Sequence, residues 1–150
     1  MYSYTEEVSS QLNGLLEKNY DAEKGYRTAA ENATSTALTN FFNRKAEQRK
    51  TFGKEIKSEI KTFGHTPDKG GSITGSAHRA WMNTKAFFSA DNDESMLEEA
   101  LRGEKASIEE YNEVIGSKEP LPESTSKVLQ MQRDTIQNDT NVINRLEDIM

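Results

Sequence analysis

The chain has 150 residues, a net charge of −6 and no cysteine, so it is sized for one domain and can use neither disulfides nor thiolate chemistry. The acidic balance argues against nucleic acid, which is bound through a basic stripe, and no apolar run is long enough to span a membrane. The opening MYSYTEEVSS has neither the basic start nor the apolar stretch of a secretory signal, so the cytoplasm is the expected compartment.

Hydrophobic residues make up 33% of the chain. They recur at helical spacing, which predicts a folded domain with a narrow core over residues 1–150. The first helix is expected from about Tyr4 to Asn32, with Ser3 and Glu6 spaced as a capping box. Val8, Leu12, Leu15, Leu16, Tyr26, Ala29, Ala30 and Ala33 share one face of it. The second runs from about Ser35 to Phe63, with Leu38, Phe41, Phe42, Phe52, Ile56, Ile60 and Phe63 on a face and Gly64 as its stop.

The stretch GHTPDKGG then breaks the chain, because Pro67, Gly70 and Gly71 end any helix. Ser72 opens a shorter helix to Phe88, with Ile73, Ala77, Trp81 and Phe88 on its apolar side. After SADND, where Asn92 or Asp93 can cap, the next helix reaches Ile115 with Leu97, Ala100, Leu101, Ile108 and Tyr111 on one face. GSKEPLPES is a turn, and Pro122 suits the first position of a last helix carrying Val128, Ile136, Ile143 and Leu146. No strand pattern, repeat or low-complexity tract interrupts this order. The expected fold is all-α: a four-helix bundle with an additional short helix between its second and third helices.

Function should lie in whatever interrupts the apolar faces. At about 100° per residue, Asn19 and Glu23 fall inward on the first helix and Arg49 on the second, between Phe42, Phe52 and Ile56. Lys45 also turns inward, with a stem long enough to carry its charge to the rim. Glu104 sits among Ala100, Leu101, Ile108 and Tyr111, and Gln132 and Asp139 lie among Val128, Ile136 and Ile143. All are near the middles of their helices, so they should meet in one layer. Glu47 points the other way, to solvent.

A buried carboxylate is costly unless paired. In one account Arg49, with five donors in a planar fork, bridges Glu23 to Glu104 or Asp139. In the other, a divalent metal sits among Glu23, Glu104 and Asp139 with Arg49 behind them. Such an all-carboxylate set suits hard ions such as Mg, Ca or Mn better than Zn.

The remaining candidates have plainer readings. His65, in FGHTPD, reads as a surface histidine, and His78, in SAHRAWMN, as one that hydrogen-bonds a neighbouring helix. Trp81, Phe87 and Phe88 are packing residues, or an exposed aromatic surface that favours dimerisation. No histidine stands near a serine in a nucleophilic arrangement. GGSITG lacks the lysine of a phosphate-binding loop.

The segments DAEKGYRTAAE (21–31), AEQRKTFGKEI (46–56), GSITGSAHRAWMNTKAFF (71–88) and EEALRGEKASIEEY (98–111) together resemble an uncharacterised bacterial family of four-helix-bundle proteins. That family is a domain of unknown function related to the ferritin-like fold, and the resemblance covers roughly Leu12 to Ile143. It implies a ferritin-like bundle and brings no established activity. The wider ferritin-like group builds a di-metal centre from a Glu on each of two helices and Glu-x-x-His on the other two. Glu23 and Glu104 match the single glutamates by position. Both Glu-x-x-His motifs are missing: Gln48 and Arg49 occupy one region, and Gln132, Thr135 and Asp139 the other. Oxidase, oxygenase and iron-storage chemistry are therefore not expected.

The resulting expectation is a non-enzymatic ferritin-like bundle with a buried Arg/carboxylate layer (Asn19, Arg49, Gln132 and their acidic partners). It would act through its surface, as a homodimer or with a protein partner, and need no cofactor. The alternative is a carboxylate-rich divalent-metal or weak redox protein using Glu23, Glu104 and Asp139, with Fe, Mn or Zn as the ions to try.

Overall fold

The computed structural model describes residues 4–68 and 93–149, with side chains through residue 146. Four long helices account for the regular structure among them: α1 (Tyr4–Asn32), α2 (Thr36–Thr62), α3 (Asp93–Ile115) and α4 (Glu123–Ile149). The all-α expectation therefore holds, and no strand occurs among the described residues. The expected short helix from Ser72 to Phe88, with His78, Trp81 and Phe87, lies outside the described residues, as does Ser3.

On α1, Val8, Leu12, Leu15, Asn19, Ala22, Tyr26 and Ala29 are buried. They alternate steps of four and three, the spacing of a bundle seam. Leu16 and Ala30 widen that seam on one side. α2 starts at Ser35, whose extended backbone and Oγ, accepting from the Leu38 N–H at 3.4 Å, form the N-cap. It stops where Gly64 takes φ +78°. There the Gly64 N–H donates to the Lys61 carbonyl and the His65 N–H to the Ile60 carbonyl, a Schellman motif that only a residue free to adopt positive φ closes without strain.

α4 departs from expectation at two points. The Pro122 carbonyl already accepts the Ser126 N–H at 2.9 Å, which puts Pro122 at the N-cap, one position before the first helical residue. The buried stripe is Thr125, Leu129, Gln132, Ile136, Thr140 and Ile143, while Val128 is half-buried. Leu129 stands one heptad before Ile136 and takes the seam. Val128 stands one heptad before Thr135 and falls to the flank.

Asp93 sets the direction of the second hairpin. Expected to cap its own helix, it instead accepts from the Thr34 N–H, the Thr34 hydroxyl and the Ser35 N–H, each at 3.0 Å. The start of α3 is thus tied to the turn between α1 and α2. α3 begins at the end of the bundle where α2 begins, so α2 and α3 run parallel and α1 runs antiparallel to both. At the opposite end the Tyr4 hydroxyl donates to the Pro120 carbonyl, in the turn between α3 and α4. α1 packs on α2 and α3, and α4 packs on α3 and α2. A 27-residue helix is about 40 Å long, so the chain must return over that distance between α2 and α3.

The apolar core is divided. One cluster gathers Tyr26, Ala29, Phe41, Phe42, Leu97, Ala100 and Ile143 toward the Asp93 end. The other gathers Leu12, Leu16, Ile56, Ile60, Leu129 and Ile136 toward the Tyr4 end. The level between them is polar.

Burial works against the Asp93 charge, but the Thr34 and Ser35 donors outweigh it and hold the carboxyl below its ordinary value of 3.8. A depressed folded pKa contributes stability that is complete above 3.8 and is lost as pH falls through the folded value. Asp93→Ala is expected to cost about 2 kcal/mol at neutral pH. In urea titrations its gap from the native chain should close as the pH is taken below 3.8; a gap that persists there would contradict the assignment.

Candidate functional site

The polar level is built around two groups that water does not reach: Arg49 at 1% exposure and Glu104 at 0%. Arg49 comes from the seam of α2 and Glu104 from the seam of α3, diagonal neighbours in the bundle. Arg49 Nη2 donates to Glu104 Oε1 at 3.0 Å and to Ser107 Oγ at 3.1 Å, and Nη1 donates to Asn19 Oδ1 at 3.0 Å. Tyr26 donates its hydroxyl to the same Glu104 Oε1. The second oxygen, Oε2, faces Lys45 Nζ at 3.4 Å. Lys45 also donates to Asp139 Oδ2 and, at 2.6 Å, to Gln48 Oε1, and lies 5.6 Å from the centre of the Tyr26 ring.

The network continues toward the other apolar cluster. Asn19 Nδ2 donates to the Tyr111 hydroxyl at 3.0 Å, and that hydroxyl donates to Gln132 Oε1 at 2.6 Å. Gln132 Nε2 then reaches the Phe52 carbonyl and Glu55 Oε1. One chain of hydrogen bonds therefore joins all four helices. Its inner charges balance: Lys45 and Arg49 against Glu104 and Asp139.

Each shift in this layer favours the protonation state the network needs. Burial opposes the Glu104 charge, but Arg49, then Lys45, then the Tyr26 hydroxyl outweigh it and hold the carboxyl below its usual range. Burial likewise opposes the Arg49 charge, and Glu104 with the two phenols raises it above the ordinary arginine value. Tyr26 is pushed well up by burial and by Glu104, and burial takes Tyr111 to about 12. Arg49 and Glu104 are thus held as a charged pair, and Tyr26 and Tyr111 as neutral phenols.

The structure brings Asn19, Arg49, Glu104, Gln132 and Asp139 together and leaves Glu23 out. Glu23 is half-buried and held by Arg27 on its own helix, at 3.0 Å; Arg27 also bonds the exposed Glu47 at 2.9 Å. The reason is phase. Glu23 shares the flanking stripe of Leu16 and Ala30, while the seam passes through Ala22 and Tyr26, so the residue facing Glu104 from α1 is Tyr26. Lys45 corrects the reading in the other direction, since its ammonium does not go to the rim but is buried between two carboxylates. Ser107, Tyr26 and Tyr111 were missed as polar members because a tyrosine on an apolar stripe reads as packing. The hydroxyl at its tip was the available signal. His65 is half-buried with Nε2 3.3 Å from Thr5 Oγ1.

From solvent, a groove of about 270 Å³ between α2 and α4 reaches Lys45 and Asp139, with Arg44 and Gln48 on its walls. Both Glu104 oxygens already accept from internal cations, and no group of three or more His, Asp or Glu able to hold a metal occurs among the described residues.

Removing Arg49 alone leaves Glu104 with Lys45 as its one cation. Arg49→Met should therefore cost about 3–5 kcal/mol in chemical denaturation, and adding Glu104→Gln should recover part of that loss. Glu23→Gln should cost under about 1 kcal/mol. In alkali, a phenol with a raised folded pKa contributes stability that is complete below pH 10 and lost as pH rises through the folded value. Absorbance titration should therefore show Tyr111 ionising only near pH 12 and Tyr26 well above pH 10, or both only with unfolding.

The sequence pattern of a family described as "Domain of unknown function (DUF2383)" matches residues 7–117. That span holds Asn19, Tyr26, Lys45, Arg49, Glu104, Ser107 and Tyr111, while Gln132 and Asp139 on α4 lie beyond it. No curated protein matches the chain.

Proposed function

Because the match spans most of its length, the chain belongs to the DUF2383 family, and from that premise we propose that it is a non-enzymatic bundle of the ferritin-like kind. Two internal cations stand in it where that group holds metal. Parallel second and third helices joined by one long return connection support the ferritin-like reading. The observation that carries the proposal is the double occupation of Glu104, with Arg49 on one oxygen and Lys45 on the other. Such a layer fixes helix register more than it adds stability. The protein then works through its surface, as a homodimer or with a protein partner. The cytoplasm is the proposed compartment, which fits the lack of cysteine; no described helix is long and apolar enough to cross a membrane.

The runner-up is a divalent ion held by Glu104 and Asp139 after displacing the Lys45 ammonium. The groove that reaches Lys45 from solvent favours it.

Loading with Fe(II), Mn(II) and Zn(II), desalting and elemental analysis separate the two. The native chain is expected to retain no stoichiometric metal, and EDTA to leave its Tm unchanged. Stoichiometric metal that vanishes in a Glu104→Ala, Asp139→Ala double variant would replace the proposal with the metal reading. Sedimentation equilibrium tests self-association, and a monomer at every concentration would remove the homodimer.

A further inference from the structure

Lys45 is the one lysine buried among the described residues. Its ammonium carries three hydrogens and meets three acceptors: Gln48 Oε1 at 2.6 Å, Glu104 Oε2 at 3.4 Å, and Asp139 Oδ2 in direct contact. α2 supplies Lys45 and Gln48, α3 supplies Glu104 and α4 supplies Asp139. An amine and two carboxylates are thus held together by three packed helices. Two other lysine–carboxylate pairs, Lys18–Glu110 and Lys127–Glu123, are open to water, whereas the Lys45 side chain is 4% exposed. Arg49 helps to keep Glu104 ionised, the form that can accept a proton.

We propose that Lys45 and Asp139 condense to an isopeptide, an amide between the two side chains that staples α2 to α4. One proton of the ammonium passes to Asp139 Oδ2, leaving an amine and a carboxylic acid in contact. The Nζ lone pair attacks Asp139 Cγ, and the C–N bond forms. Glu104 Oε2 takes a second proton from Nζ and returns it to the departing hydroxyl. The C–O bond breaks, water leaves, and the amide nitrogen keeps the third hydrogen. No oxidant, metal or further reactant enters this balance.

Three physical features favour the bond. In water, condensation is opposed by the hydration of the two separate charges; a buried pair has already lost that hydration, and the amide removes both charges. Groups fixed against one another react at effective concentrations on the order of 10⁵–10⁸ M. The groove between α2 and α4 ends at Lys45 and Asp139, with Phe41 and Val142 beside them, and gives the released water an exit. The layer also accommodates the product. One charge of each sign is lost, so Arg49 still balances Glu104. The new amide N–H donates to Glu104 Oε2, and the Gln48 amide, turned over, donates to the new carbonyl. This inference rests on the layer of internal cations proposed above, but its readout is a covalent mass, separate from the metal retention that tests that reading.

The test is intact mass spectrometry of the full chain, kept folded at neutral pH for several days and then denatured. The expected mass is that of the sequence less one water. A branched tryptic peptide should join residues 45–49 to 134–145, because trypsin does not cut after an acylated lysine. Asp139→Asn should form the same amide with loss of ammonia in place of water. Lys45→Arg keeps the cation but not the nucleophilic amine, and should show its full mass while circular dichroism shows it folded. In an Arg49→Met, Glu104→Gln variant, which removes the proton acceptor without stranding the guanidinium, the bond should form at least about tenfold more slowly. A native chain that is folded and keeps its full mass would overturn the proposal and leave the contact an ion pair only. So would a loss of water that persists in Lys45→Arg, since it would arise elsewhere in the chain.

Discussion

The Arg49–Glu104 ion pair is the constraint on which the rest of the core depends. Neither group touches water, and an unpaired charge at that depth would cost several kcal/mol. Glu104 must therefore meet its donors at every moment the chain is folded. Those donors come from α1 and α2, and Glu104 itself from α3. A slide of one helix by a turn, about 5.4 Å, would break the set. Leucine seams alone tolerate such slides far better, because one apolar contact substitutes for another.

The same layer explains why the apolar core comes in two parts. Phe42 and Ala100 pack on one side of it, and Leu16 and Ile136 on the other. The two tyrosines close the layer at either face. Each places its ring in one apolar cluster and its hydroxyl in the network, Tyr26 on Glu104 and Tyr111 between Asn19 and Gln132. Two atoms stand apart: Arg49 Nε, which has no hydrogen-bond partner among the described residues, and the Asp139 carboxylate, whose side chain is 19% exposed at the groove. That groove is where the network meets solvent.

Catalytic carboxylates and lysines are recognised by pKa values pushed toward neutrality, so that a proton can leave or arrive. Here burial alone would do that to Glu104, and the two cations reverse it.

Much of this was legible from residue order. Helix limits followed closely from breaking residues such as Gly64 and Pro122, because these act on their own backbone within a turn. Arg49 and Glu104 were legible as inward groups, because each is flanked by large apolar residues three or four positions away on both sides. Glu23 and Val128 were misplaced, for a common reason. A helix turns about 100° per residue, so stripes one position apart look equally apolar where small or mixed residues occupy them, as around Ala22 and Ala30. Only the neighbouring helices decide which stripe is the seam. The ammonium of Lys45 could reach the rim or the centre with equal ease, and the placement of Asp139 and Glu104 from two other helices chose the centre. Asp93 shows the same limit. Its type and place announced a cap, but which helix start it serves depends on where the chain returns after α2. The sequence by itself determined the helices, their ends and the presence of inward charge, since these are local. Tertiary structure alone decided which charges meet and in which direction the helices run, because both depend on groups far apart in the chain.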